Sequence, residues 1–195
     1  MKNDMHDQGT TAVRERPESK FGYGTSEPDK QEMQKKMEAA GSPGPAHKAL
    51  EPLLGTWRAE VKCWMEPGGS PNVSQGTAKA SWILKGRFLE EEFQGEMMGQ
   101  PFTGRSLMGY DNVKQAYNSI WISDMQTSIF TSEGKGDNGN KVITLEGKST
   151  CAATGRTDVP MKTVLRLISP DKHVLEMYDG SKGNAKTMEI TYTRR

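Results

Sequence analysis

The 195-residue chain is poor in several things at once, and each shortage removes a class of protein. Its 2 cysteines, Cys63 and Cys151, are too few and too far apart for a disulfide scaffold and lack ligand-like spacing. Neither has the basic or helix-start surroundings of a reactive thiolate, so both read as structural thiols. No apolar run exceeds three residues, whereas a membrane-spanning helix needs roughly 20. The opening MKNDMHDQGTT has no apolar core for a signal peptide. The expectation is a soluble, cytoplasmic protein without membrane insertion. Charge of one sign is also missing: 26 Lys and Arg stand against 25 Asp and Glu, a net of +1, so no field steers the chain toward nucleic acid. Catalytic signatures are absent too. There is no GxSxG elbow, no HExxH and no Walker loop, since GKGDNGN has no Lys-Ser or Lys-Thr pair after its glycines. No catalytic residue and no metal set is expected.

With 33% apolar residues, 21 Gly and 10 Pro, the chain reads as one turn-rich domain with a modest core. Residues 1–28 contain no Leu, Ile or Trp and form a polar tail expected to be disordered, because it has too little apolar surface to offset ordering. Residues 29–41 switch to strong helix formers, with Met33 and Met37 four apart and Gly41 placed to end a short amphipathic helix. Those methionines either dock on the domain or serve a protein partner. A barrel domain is expected over residues 42–195. It opens with AHKALEPLLG, a helical turn shortened at Pro52. From Trp57 the period becomes two: TWRAEVKCWM, QGTAKASWIL, FLEEEFQGEMM, FTGRSLMGYD and AYNSIWISD, then QTSIFTSEG, KVITLEGKST, PMKTVLRLIS, HVLEMYDG and KTMEITYTR. Most connections are short and rich in Gly, Asn, Asp or Pro, which suits neighbouring antiparallel pairing. A row of about ten such strands leaves two edges unless it closes, so the fold class is mainly β, a single antiparallel up-and-down barrel with one or two short N-terminal helices.

The strand faces carry the functional reading. In AYNSIWISD one face holds Tyr117, Ser119, Trp121 and Ser123, the other Asn118, Ile120, Ile122 and Asp124. PMKTVLRLIS splits into Met161, Thr163, Leu165 and Leu167 against Lys162, Val164, Arg166 and Ile168. HVLEMYDG splits into His173, Leu175 and Met177 against Val174, Glu176 and Tyr178. Mixed faces suit a barrel enclosing a cavity, and they equally suit half-solvated strands. The cavity reading selects Tyr117, Trp121, Arg166, His173, Met177 and Tyr178 as ligand-contacting residues. Glu90 and Glu92 share a face and Glu91 takes the other; with no partner base or metal set, the run reads as a solvated strand. His47 reads as a cap or packing residue, and Asp111 as a group that hydrogen-bonds its turn.

The stretch AHKALEPLLGTW, running into Gly55 and Trp57, resembles the opening of calycin-type barrels. Together with Leu53, Gly86, Arg87, Pro101, Phe102, Gly104, Gly109, Tyr110, Asp111, Trp121 and Asp124, it makes residues 45–195 similar to the bacterial domain of unknown function 1579 family. The resemblance implies a calycin-like barrel whose Trp57 plugs one end, with Gly55, Gly109 and Asp111 structural, and it implies no settled activity. By likeness to fatty-acid-binding barrels, Arg166 pairs an acidic head group. By likeness to nitrobindin-like barrels, which hold haem on a late-strand histidine, His173 becomes a haem-ligand candidate. Three readings follow: a non-enzymatic barrel for a small hydrophobic or amphipathic ligand, a haem or other cofactor protein with redox or isomerase chemistry, and an interaction or structural module using the tail and the Met33/Met37 helix. A homodimer is compatible with each.

Overall fold

The structure, a computed structural model, describes residues 27–195 apart from Met98 and Ala153. The polar tail expected over residues 1–28 therefore lies outside the described residues, except for its last two positions. Those two belong to helix α1, Glu27–Gly41, which starts earlier than expected. Pro28 loses no hydrogen bond in a first turn, and Glu27 and Asp29 sit where the helix dipole favours acidic groups. Lys30 pairs with Glu27 and Lys36 with Glu32 along the helix. No residue of α1 is buried, and Met33 and Met37 are exposed. The chain divides into two compact units between Met37 and Glu38.

The second unit is the barrel. Its strands are β1 Gly55–Cys63, β2 Asn72–Ile83, β3 Phe88–Met97, β4 Gln100–Asp111, β5 Ala116–Ser123, β6 Gln126–Gly136, β7 Val142–Cys151, β8 Arg156–Ser169, β9 Lys172–Asp179 and β10 Ala185–Arg194. Each pairs antiparallel with its chain neighbours, and β1 closes on β10 from Trp57↔Arg194 to Cys63↔Met188. The expected ten-strand barrel is the fold observed. The largest difference in bounds is at β8, which begins at Arg156 rather than Pro160. Pro160 lies beyond the last pairing with β9, Met161↔Asp179, so on that side its missing N–H has no partner to forfeit.

One end of the barrel is plugged from the chain that precedes β1. Helix α2, Pro45–Lys48, is capped by its own third residue: the Gly44 N–H donates to His47 Nδ1 at 3.0 Å, so His47 is a cap and is buried. A 3-10 turn, Glu51–Leu53, follows. Leu50 and Leu53 drop into a cluster with Leu89, Tyr117, Ile143 and Leu165. Trp57, fully buried, donates from Nε1 to the Leu53 carbonyl at 2.8 Å, which ties the plug to the first strand. The Arg194 guanidinium lies 4.2 Å from the Trp57 ring centroid and donates from Nη1 to the Leu54 carbonyl at 2.8 Å. Gly55 makes that approach possible, since a Cβ there would sit 2.6 Å from Arg194 Nη1 and φ is +117°.

Trp57→Ala removes both the ring that fills the plug and the indole bond. Urea unfolding should show a loss of about 3–5 kcal/mol, the usual cost of deleting a large buried aromatic, with Trp57→Phe losing less. A loss within experimental error for Trp57→Ala would refute this account of the plug.

Candidate functional site

Because side chains alternate along each strand, closure sends one set of positions inward throughout. At the plugged end the inward residues pack solid: Trp57, Ala59, Ala78, Leu89, Ile143 and Leu165 are all buried. Toward the other end, inward residues such as Phe102, Ser106, Trp121, Leu175, Met177 and Met188 keep part of their surface accessible. The inward face is therefore closed at its base and partly accessible above, in the manner of a cup.

Small residues shape the cup wall. A Cβ on Gly104 would lie 2.2 Å from Trp121 Cη2, so the indole ring lies directly over the β4 backbone at that glycine. Gly76 and Gly95 make the same room for Phe93, with would-be Cβ atoms 2.7 and 2.6 Å from its ring. Phe93 stacks on Phe102 at 5.6 Å and meets Trp121 edge-on at 6.4 Å, giving an aromatic wall built from β3, β4 and β5.

At the floor of the cup stands a carboxyl group. Glu91 alternates with Leu89 and Phe93 on β3, opposite Ala80 on β2 and Ser106 on β4. It accepts a hydrogen bond from Tyr192 Oη at 3.4 Å, a residue 101 positions away on β10. Tyr192 reaches it across β1 and β2, and both strands are alanine there, Ala59 and Ala78, packed with Tyr192 in one cluster. Burial pushes the Glu91 carboxyl up to about 7, and the Tyr192 bond opposes that rise. The Tyr192 phenol is pushed well above its usual value, first by burial and then by the neighbouring carboxyl. Behind it, His173 stacks on Tyr192 at 4.2 Å and stands edge-on to Trp57 at 4.4 Å. Burial, helped by Arg194, pulls His173 down to about 3, so the imidazole is neutral. Among the described residues, His173 Nδ1 and Thr163 Oγ1 are buried with no hydrogen-bond partner.

These residues show what the barrel can hold. Among the described residues no group of three His, Cys, Asp or Glu side chains is arranged for a metal ion. His173 does not fit a haem iron in this arrangement: it is 3% exposed, its ring lies between Tyr192 and Trp57, and its Nδ1 lacks the acceptor that orients a metal-bound histidine.

A family model described as "Protein of unknown function (DUF1579)" matches residues 42–194, which is the whole barrel and its plug. The chain belongs to the DUF1579 family. No curated protein matches it. Among solved structures, the crystal structure of Rv2717c from M. tuberculosis is similar with a TM-score of 0.54 and 18% identity, covering 79% of this chain and 99% of that one, a likeness in fold alone. A redesigned beta barrel, b11L5F_LGL, matches with a TM-score of 0.40 and 15% identity over 80% of this chain and 99% of its own, which adds nothing to the assignment.

Several residues that carry the DUF1579 likeness hold the barrel in shape. Asp111 Oδ1 accepts from the Val113 and Lys114 N–H groups at 2.8 and 3.0 Å. Asp124 accepts from the Thr103 N–H through both oxygens, at 3.0 and 3.1 Å. Gly109 faces outward and leaves room for the Phe88 ring, 2.7 Å from a would-be Cβ. Of the expected ligand-contacting residues, Trp121 and Met177 line the open cup, and His173 lies beneath it. Tyr117 also points inward but is fully buried in the plug, where its hydroxyl donates to the Ala46 carbonyl at 3.0 Å and burial raises it to about 12. It touches no open space, which corrects its place among the ligand contacts.

Arg166 and Tyr178 are corrected as well. Leu165 and Leu167 pack inward, so Arg166 between them points out, where Nε donates to Glu176 Oε2 at 2.8 Å. Tyr178 is outside too, with the Lys162 ammonium 4.5 Å from its ring centroid. Parity is the reason: one strand cannot send both alternating sets inward. Glu90 and Glu92 do face solvent, paired with Arg105. Glu91 was readable as the exception, because it is a carboxylate between Leu89 and Phe93 on the face that packs.

The raised carboxyl has a thermodynamic consequence. Unfolded, Glu91 titrates near its ordinary value of 4.5, and in the barrel it titrates at about 7. Between those pH values the native state keeps a proton that the unfolded state has released, so Glu91 lowers stability as pH rises through the window, by on the order of 3 kcal/mol at full desolvation. Glu91→Gln should remove that fall and be more stable than the parent at about pH 8. Parallel stability profiles for parent and variant across the window would contradict the assignment. Tyr192→Phe should move the carboxyl further up.

Proposed function

We propose that this DUF1579 protein is a binding protein that takes one small amphipathic molecule into the open half of its barrel. The observation that carries the reading is the accessible inward surface of Phe102, Trp121, Leu175, Met177 and Met188 above a packed base. Ligand pockets combine an apolar lining with a few placed polar groups, and here the polar group is Glu91 with its Tyr192 partner. Aromatic rings supply rigid contact, and the methionines near the mouth adapt to irregular shapes. Arg58, Glu60 and Lys62 on β1, Lys79 on β2, and Glu90 and Glu92 on β3 lie on the opposite parity. The outer wall thus carries charge where a lipid-facing barrel carries an apolar band. This supports a barrel that works in water and binds from its interior.

The neutral fluorophore 1-aminoanthracene tests the reading. Titrated into the full chain, it should bind saturably with one site, quench Trp121 and be displaced by 1-decanol. Ser106→Phe, which fills the cup between Glu91 and Trp121, should weaken binding by about tenfold or more while the protein still unfolds cooperatively. Absence of saturable binding to the parent would overturn the proposal.

A further inference from the structure

We infer that the cup selects amphipathic molecules with a cationic amine head over those with a carboxylate head. The inference rests on the binding reading above and names the ligand class of the same site. It stands on which charged groups face the interior. Glu91 is the acid at the floor, and around it Tyr192 from β10, with neutral His173 behind it on β9, are the titratable neighbours. Ala80 on β2 and Ser106 on β4, which flank it, bring no charge. At the rim, Arg156 on β8 pairs with Cys151 and acts on Asp179. Below the rim, among the described residues, the basic side chain on an inward position is Arg194, and it is spent in the plug. Its nitrogens donate to Asp171 Oδ1 and to the carbonyls of Leu54, Pro52 and Pro170 at 2.6 to 3.1 Å. Arg166, which the fatty-acid reading recruits, is outside, and it and Lys186 are bound to Glu176.

A carboxylate head that reaches the floor of this cup therefore meets an acid and no counter-charge there, and it loses its hydration without compensation. An ammonium head meets the Glu91 oxygens. It also meets the ring of Trp121, which lies across Ser106 and keeps part of its surface accessible. Aromatic faces beside an acid are the recognition chemistry of ammonium groups. The raised carboxyl sharpens the choice, because ionisation of Glu91 becomes favourable once a cation shares its site.

Competition against 1-aminoanthracene on the full chain decides it, using three ten-carbon probes: decyltrimethylammonium, 1-decanol and decanoate. At about pH 8 the ammonium should displace the fluorophore roughly tenfold better than the alcohol, and the alcohol better than the acid. Since the quaternary head does not titrate, its affinity should rise between about pH 5.5 and 8.5 as Glu91 ionises. Glu91→Gln should remove most of the ammonium's advantage over the alcohol and flatten that rise. Trp121→Leu should reduce the ammonium preference several-fold. If decanoate competes as well as the ammonium while decanol still binds, this inference fails and the binding reading stands. If the fluorophore itself does not bind, the binding reading fails and the inference falls with it.

Discussion

Closure of β1 onto β10 is the constraint on which the other features of this molecule depend. Once Trp57 pairs with Arg194 and Cys63 with Met188, every strand is locked in register with its neighbours, and the inward position of one residue determines that of all the others. The ladder also leaves no exposed edge for pairing with another chain. It brings the two ends of the domain together, so the last strand supplies Tyr192 and Arg194 to a site and a plug begun by the first half of the chain. The partition of the interior into a packed base and an open cup follows from which residues occupy the inward positions at each level. Large side chains and the preceding turn fill one end. Glycine and serine leave room at the other.

The two ends use charge differently for the same reason. Arg194 is held by carbonyl oxygens that a turn cannot satisfy internally, so its charge closes the plug and is spent doing so. Among the described residues, Glu91 has one hydrogen-bond donor, a phenol, and no cation. A largely desolvated carboxyl with so little compensation is costly as an anion, and groups shifted in this way cluster at functional sites. The outer wall shows the contrast: Glu176 is flanked by Arg166 and Lys186, which hold its carboxyl below the ordinary range despite partial burial.

Much of the architecture was legible in the chain itself. The ten segments of period two, separated by turn chemistry, correspond to the ten strands, and Trp57, Asp111 and His47 serve as plug, turn bond and cap. The inward surface was legible only in part. Trp121 and Met177 were reached from the alternation of β5 and β9. Arg166 and Tyr178 were chosen from the opposite parity of β8 and β9, because in isolation each face of those strands offers residues suited to a ligand. Tyr117 has the correct parity at the wrong depth, and depth depends on where the plug sits. Glu91 was the reverse case, since its alternation with Leu89 and Phe93 already set it apart from Glu90 and Glu92.

The sequence by itself determined the number of strands, their approximate limits, the turns between them and the two-fold alternation along each, because those properties depend on neighbours a few residues away. Only the tertiary structure decided which parity faces inward, which end is sealed, and that a lone carboxyl from β3 meets a phenol from β10. Those outcomes depend on closing a ring across the whole domain, where residues 101 positions apart come within hydrogen-bonding reach and no local pattern records the pairing.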